Sequence, residues 1–180
     1  DDRITAYDPD HIASAGLDGG KLLLRIEFTD PGVARTIEMC GEVVTRLADQ
    51  GLACMVEPLP YLKDDQGRSF LDTRDEELIR VVAIASGLGS SSAYTWLKIP
   101  ATPRMAEVAA ATTMPILLLG GDPGDKAGEV IAGWEDAMRQ PNVRGLIPGR
   151  ALLYPHDGDV EGVVATAARI VHGGTTGGTS

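Results

Sequence analysis

The chain alternates short apolar segments with longer mixed ones, and this alternation constrains the fold more than any other feature. The apolar segments are near-continuous, which is typical of parallel strands that are covered on both faces. Gly51 and Gly87 stand where the first two intervening helices should end. The predicted strands are Lys21–Phe28, Leu52–Pro58, Thr95–Ile99, Pro115–Leu119 and Val143–Ile147, and the predicted helices span 31–50, 73–86, 103–112, 127–140 and 160–172.

Strand–helix repeats of this kind predict either a doubly wound sheet or a (β/α)₈ barrel. The turn after the first strand has no G-x-G-x-x-G, which argues against a dinucleotide-binding sheet. The polar segments follow the strands, where a barrel has its active face, but a barrel needs eight strands and about 250 residues. The chain has 180 residues and opens with "DDRITAYD", which resembles a loop after a strand. We therefore expect an α/β fold in which residues 1–172 supply strands four to eight of a (β/α)₈ barrel and 173–180 form a flexible Gly/Thr tail.

Composition argues against several classes of function. A net charge of −10 disfavours binding to a nucleic-acid backbone. No apolar run approaches the roughly 18–20 residues that a membrane span requires. The histidines and cysteines lack metal-ligand spacing, so we expect no metal and no cofactor. We expect Cys40 and Cys54 to be buried free thiols, as in a cytoplasmic protein.

Lys98, in the stretch "YTWLKIP", is the main catalytic candidate because it lies near the end of a strand predicted to be buried. Burial lowers the pKa of an amine and makes it a nucleophile toward a carbonyl. Glu57, at the end of the preceding strand, is placed to move protons during such a reaction. The alternatives are a lysine that extends to water and an ordinary ion pair between Glu57 and Lys98 or Arg25.

Two glycine-containing turns follow the last two predicted strands and are candidates for binding phosphate. Backbone N–H groups of glycine turns bind phosphate, often after the seventh and eighth strands of a barrel, and an arginine adds charge-assisted hydrogen bonds. Arg25, on the first strand, is a candidate substrate contact; alternatively it neutralises Glu57 or Glu27. The two turns are Gly120-Gly121 and Gly149-Arg150.

These motifs resemble the class I aldolase superfamily, which includes deoxyribose-phosphate, tagatose-bisphosphate and archaeal-type fructose-bisphosphate aldolases. The motifs are "VEP", "LKIP", "LLLGGD" and "GLIPGRALL" on successive strands. The segments "DDRITAYD", "GLDGGKLLLRI" and "SGLGSSSAYTWLKIP" are most similar to an actinobacterial aldolase-like (β/α)₈ family of inositol-catabolism gene clusters. The resemblance covers nearly all of the chain except its tail.

The resemblance implies that Lys98 forms a Schiff base, that Glu57 is its acid/base partner and that the two glycine turns bind the substrate phosphate. Two positions depart from the superfamily pattern. Arg25 stands where relatives often have aspartate or lysine. The segment "IPGRALLYP" lacks the asparagine that commonly follows Gly-Arg in the fructose-bisphosphate branch.

The sequence thus predicts a class I, metal-independent aldolase that acts on a phosphorylated keto-sugar or keto-acid. The resemblance implies a deoxy-keto-gluconate phosphate of inositol catabolism as substrate, and we expect a homo-oligomer without nucleic-acid or membrane partners. One alternative is a non-catalytic phospho-ligand-binding barrel fragment, which needs no carbonyl-reactive amine. Another is a phosphosugar isomerase or epimerase that uses Glu57 as its base and forms no imine.

Overall fold

The computed structural model describes residues 2–121 and 127–173. Strands and helices follow one another in the predicted order, with three short additions: α1, β3 and α6. The predicted tail lies outside the described residues from position 174 onward. The elements are α1 (Pro9–Ser14), β1 (Gly19–Ile26), α2 (Val33–Asp49), β2 (Ala53–Lys63), β3 (Ser69–Leu71), α3 (Asp75–Ser86), β4 (Thr95–Ile99), α4 (Met105–Ala110), β5 (Ile116–Leu119), α5 (Ala127–Ala137), β6 (Val143–Ile147), α6 (Arg150–Leu153) and α7 (Val160–His172).

Five strands form a parallel sheet in the order β1-β2-β4-β5-β6, so each strand lies beside the next parallel strand of the chain. The strand that holds Lys98 therefore lies between the strand of Glu57 and β5, as the prediction of a barrel requires. The short strand β3 pairs with the far end of β2 in the antiparallel direction and forms a hairpin with it. The sequential parallel order confirms the predicted α/β fold of the barrel type.

The helices pack against one face of the sheet and form the core with it. Leu24, Val56, Leu97 and Ile116, from four neighbouring strands, are at most 1% exposed and belong to one cluster with the helices. Alternate residues of a strand point to opposite faces, so these side chains all leave the sheet on the helix side. On α2 the buried residues recur at three- and four-residue spacing, as in an amphipathic helix. They are Thr36, Cys40, Val43, Val44 and Leu47.

The opposite face of the sheet, which we call the inner face, carries the alternate residues of the same strands. Leu23 and Trp96 on this face are 41% and 36% exposed. The expectation that the strands are covered on both faces is therefore wrong for the inner face, within the part of the chain that the structure describes. The inner face consists of Lys21, Leu23, Arg25, Met55, Glu57, Trp96, Lys98, Leu117 and Leu119.

Cys40 and Cys54 are buried and unpaired with each other, as predicted. Burial raises the pKa of each thiol to about 12, so both are protonated at neutral pH. None of the described helices is long and apolar enough to cross a membrane.

Candidate active site

Lys98 and Glu57 lie side by side on the inner face. Leu97 and Ile99, which flank Lys98 on β4, are fully buried on the helix side, so the lysine points the other way. Its side chain is 18% exposed, and its Nζ lies 3.2 Å from Oε1 of Glu57 on the neighbouring strand β2. The sequence predicted this juxtaposition. The lysine does not simply extend into water, because its ammonium group is held at a mostly buried carboxylate.

Glu57 has a second cationic partner, Lys21, which is not among the residues predicted from the sequence. The Lys21 ammonium makes an ion pair with Oε2 of Glu57 from the other neighbouring strand, β1. The register places Leu23 beside Glu57, and Lys21 is two residues earlier on the same face. The Glu57 side chain is 10% exposed and the Lys21 side chain 41% exposed. A single carboxylate thus lies between two ammonium groups, one on each oxygen.

Arg25 is also on the inner face but is bound to a different carboxylate. Its guanidinium donates two hydrogen bonds to Asp2, and Nε lies 3.1 Å from Oδ2. These hydrogen bonds raise the pKa of Arg25 above its ordinary value. The alternative in which Arg25 neutralises Glu57 or Glu27 is therefore wrong. Asp2 replaces them because the amino-terminal segment passes the end of β1, where Asp2 also donates its backbone N–H to Thr36.

The two glycine turns that were predicted to bind phosphate meet at the ends of β5 and β6. A Cβ on Gly120 would lie 2.2 Å from the carbonyl oxygen of Pro148, so only glycine permits this close approach. Gly121 and Gly149 have φ values of 60° and 46°, which favour glycine. Gly121, Gly149 and Arg150 are exposed. The structure therefore brings the backbone of all four residues to one place, while Asp122, which follows the first turn, lies outside the described residues.

Among residues 2–121 and 127–173, no group of three or more His, Cys, Asp or Glu side chains is arranged to hold a metal ion. The inner face presents an amine beside a carboxylate, a second amine on the other oxygen of that carboxylate, and glycine turns after the next two strands, β5 and β6.

Comparison with known families gives a match over most of the chain. The profile of the Cgl0159-like family matches residues 1–168. The chain belongs to the Cgl0159-like family. The crystal structure of Cgl0159 from Corynebacterium glutamicum (Brevibacterium flavum) is similar, with 43% identity and a TM-score of 0.86. The match covers 94% of this chain and 57% of that one. Comparison with curated proteins gives no match.

Two solved aldolase structures share the fold of this Cgl0159-like chain at low identity. An archaeal fructose 1,6-bisphosphate aldolase superposes with a TM-score of 0.73 at 18% identity, over 92% of this chain and 62% of its own. A Schiff-base-forming fructose-1,6-bisphosphate aldolase gives 0.71 at 17% identity, over 91% and 62%. The chain thus spans about three fifths of the length of these proteins. At such identity the likeness shows the fold, an aldolase-type barrel of which this chain forms consecutive strands.

Proposed function

We propose that the protein is a class I aldolase that forms a Schiff base between Lys98 and a phosphorylated keto-sugar or keto-acid. The observation that supports it best is the 3.2 Å contact between Lys98 Nζ and Glu57 Oε1 on the inner face of a barrel-type sheet. Its Schiff-base-forming structural neighbour is consistent with this chemistry but shares only the fold. The carboxylate next to the amine can receive the proton that the amine must lose before it attacks.

In the first half of the reaction, Lys98 transfers a proton to Glu57 and its neutral nitrogen attacks the substrate carbonyl carbon. A proton moves from the attacking nitrogen, which has become positively charged, to the carbonyl oxygen, and a neutral carbinolamine forms. Glu57 then returns its proton to the carbinolamine hydroxyl, which leaves as water, and a positively charged iminium remains. The Lys21 ammonium lies on the other oxygen of Glu57 and is a second counterion of the carboxylate once this proton has been returned.

In the second half, Glu57 removes the proton from the hydroxyl group that is β to the iminium carbon. The O–H electrons form the carbonyl of the departing aldehyde, the carbon–carbon bond breaks, and its electron pair moves to the iminium to give a neutral enamine. Glu57 delivers the proton to the enamine carbon, and water hydrolyses the resulting iminium and restores the Lys98 amine. No metal or cofactor takes part in this sequence.

The glycine turns at Gly120 and Gly149 are proposed to hold the substrate phosphate. Two observations favour this role. The contact of Gly120 with Pro148 brings the two turns together, and Arg150 adds a positive charge at the same place. A deoxy-keto-gluconate phosphate of inositol catabolism is the substrate that the family resemblance suggests. The part of Cgl0159 that this chain does not match is proposed to correspond to barrel strands one to three, with residues 1–172 as strands four to eight.

The proposal is tested by reduction with borohydride in the presence of candidate keto-phosphates, followed by peptide mass mapping. We expect one substrate-derived mass on Lys98, and its loss together with turnover in Lys98→Met. Arg169→Met, which removes a positive charge from the exposed face of α7, is the matched control and should keep both. An adduct on Lys21 instead of Lys98, or turnover that a chelator abolishes, would show that this mechanism is wrong.

The same variants separate the two alternative functions. An isomerase or epimerase would keep turnover in Lys98→Met and lose it in Glu57→Gln, because only the carboxylate would act on the substrate. A non-catalytic binder would bind phosphate esters without any adduct or turnover, and Arg150→Ala would weaken that binding.

A further inference from the structure

A buried carboxylate beyond the end of β1 has one oxygen without a hydrogen-bond donor. Glu27 is 9% exposed. Its Oε1 accepts hydrogen bonds from the backbone N–H and the hydroxyl of Thr29, at 3.0 and 2.7 Å. Its Oε2 has no hydrogen-bond partner among the described residues, and the nearest ammonium group, Lys63, lies 3.9 Å away. A buried carboxylate oxygen without a hydrogen-bond donor costs free energy. A bound ligand that donates a hydrogen bond to Oε2 would remove this cost.

Glu27 borders a cavity of about 150 Å³, which we call the Glu27 pocket. This is several times the volume that one water molecule needs. The pocket lies toward the carboxyl end of the sheet from the proposed catalytic pair: Leu23 is beside Glu57, and Glu27 is four residues further on, about 13 Å at the rise of a strand. Among the residues that line it are Asp2, Arg25, Glu27, Asp30, Tyr61 and Lys63.

The charges of the pocket are largely neutralised within it. Asp2 binds Arg25, and Asp30 binds the Lys63 ammonium. The Lys63 ammonium also holds the pKa of the Asp30 carboxyl below its ordinary range. A phosphate group would approach three carboxylates here, and a cation would have to displace arginine and lysine from their partners. A neutral hydroxyl group suits the pocket better, because it donates to Glu27 Oε2 while its oxygen accepts from the cationic side chains.

We infer that the Glu27 pocket binds hydroxyl groups of a polyhydroxylated chain, with Oε2 of Glu27 accepting one hydroxyl hydrogen. The inference rests on the proposed function in one respect. The polyhydroxylated chain is taken to be the end of the aldolase substrate that is remote from the reacting carbonyl. The substrate class is thereby narrowed to long sugar-derived chains, as opposed to short keto-acids.

The test uses Glu27→Gln in the whole protein and two phosphate esters without a carbonyl group. The amide keeps an Oε1 acceptor for Thr29 and replaces Oε2 by an NH₂ group, so the shape is retained and the acceptor is lost. We expect the variant to bind sorbitol 6-phosphate roughly ten- to a hundredfold more weakly by calorimetry, the range for a hydrogen bond to a charged group. Binding of glycerol 3-phosphate should be unchanged. Glu161→Gln, on the exposed first turn of α7, should change neither.

Three outcomes would overturn the inference. Unchanged affinity for sorbitol 6-phosphate would mean that only water occupies the pocket. An equal loss of affinity for both esters would mean that the substitution disturbs the whole structure. If the parent protein does not bind sorbitol 6-phosphate, polyhydroxylated chains are excluded as ligands of the pocket. If Glu27→Gln does not fold, Lys63→Gln, which removes a cationic donor to the ligand hydroxyl from a side chain that is 39% exposed, should show the same selective loss. Neither ester can form an imine, so the result is independent of whether borohydride traps Lys98.

Discussion

The Lys21–Glu57–Lys98 arrangement predicts a measurable loss of stability when the central carboxylate loses its charge. In Glu57→Gln, two ammonium groups remain on neighbouring strands without their common counterion. Removing one partner of a fully buried ion pair costs about 3–5 kcal/mol. The Lys98 side chain is 18% exposed and that of Lys21 41% exposed, so solvent screens part of this cost. We expect the free energy of unfolding to fall by about 2 kcal/mol, taking this screening into account.

Urea unfolding is the appropriate assay because it reports the free energy of unfolding and the exposed surface separately. With a slope of about 2 kcal/mol per molar urea, the loss corresponds to a midpoint shift of about 1 M, with the slope unchanged. A double-mutant cycle with Glu57→Gln and Lys98→Met should give a coupling of about 1–2 kcal/mol. The control cycle is the exposed pair Asp136–Arg139, 2.9 Å apart, which should couple by only a few tenths of a kcal/mol.

The stabilising role of the Lys21–Glu57–Lys98 arrangement is refuted if Glu57→Gln unfolds at the same urea concentration as the parent protein. It is equally refuted if the Glu57–Lys98 coupling is no larger than that of the Asp136–Arg139 control. Either result would mean that the amine is not held at the carboxylate in solution, and the proposed proton transfer between them would lose its structural basis.

Two further predictions concern a turn and an acidic group. Gly120→Ala should lower the unfolding temperature because its Cβ would collide with Pro148. Gly133→Ala should raise it, because Gly133 lies in α5 and its Cβ would meet only Ala101, at an ordinary distance of 3.7 Å. Arg74 holds the pKa of Asp72 below its ordinary range, so this carboxylate binds protons more readily in the unfolded chain. Its contribution to stability should be present at neutral pH and lost as the pH falls below about 4, and Asp72→Asn should make acid unfolding less steep.

The strand order was predictable because each parallel strand is a near-continuous apolar run, but the length of β2 was not. The sequence suggests that β2 ends at Pro58, and the structure continues it to Lys63. Cys54 donates its N–H to Tyr94 at the start of β4, so residues of the same parity, Pro58 and Pro60, would also direct an N–H toward β4. Pairing with β4 ends at Val56, and the missing N–H groups therefore break no ladder hydrogen bond.

The partners of the site residues depended on strand register and on distant segments, which one sequence does not reveal. Lys98 and Glu57 were predictable because both lie late in the predicted strands, which are adjacent in the sheet. Lys21 and Arg25 stand two residues on either side of Leu23, which the register places beside Glu57. The sequence favoured Arg25 because it is nearer the strand end. In the structure Lys21, and not Arg25, is the partner of Glu57. Asp2, 23 residues earlier in the chain, binds Arg25, and Glu57 pairs with the two lysines.

The two faces of the sheet should contribute unequally to stability, and the neighbours Trp96 and Leu97 on β4 test this. Leu97 is fully buried against the helices, and Leu97→Ala should cost about 2–5 kcal/mol through lost burial and the remaining cavity. Trp96 is larger but 36% exposed on the inner face, so Trp96→Ala in the 180-residue chain should cost less. The urea midpoints of the two variants give the order directly. If Trp96→Ala proves the more destabilising, the inner face must be covered in solution, and a mass measurement would then show whether a second copy of the chain covers it.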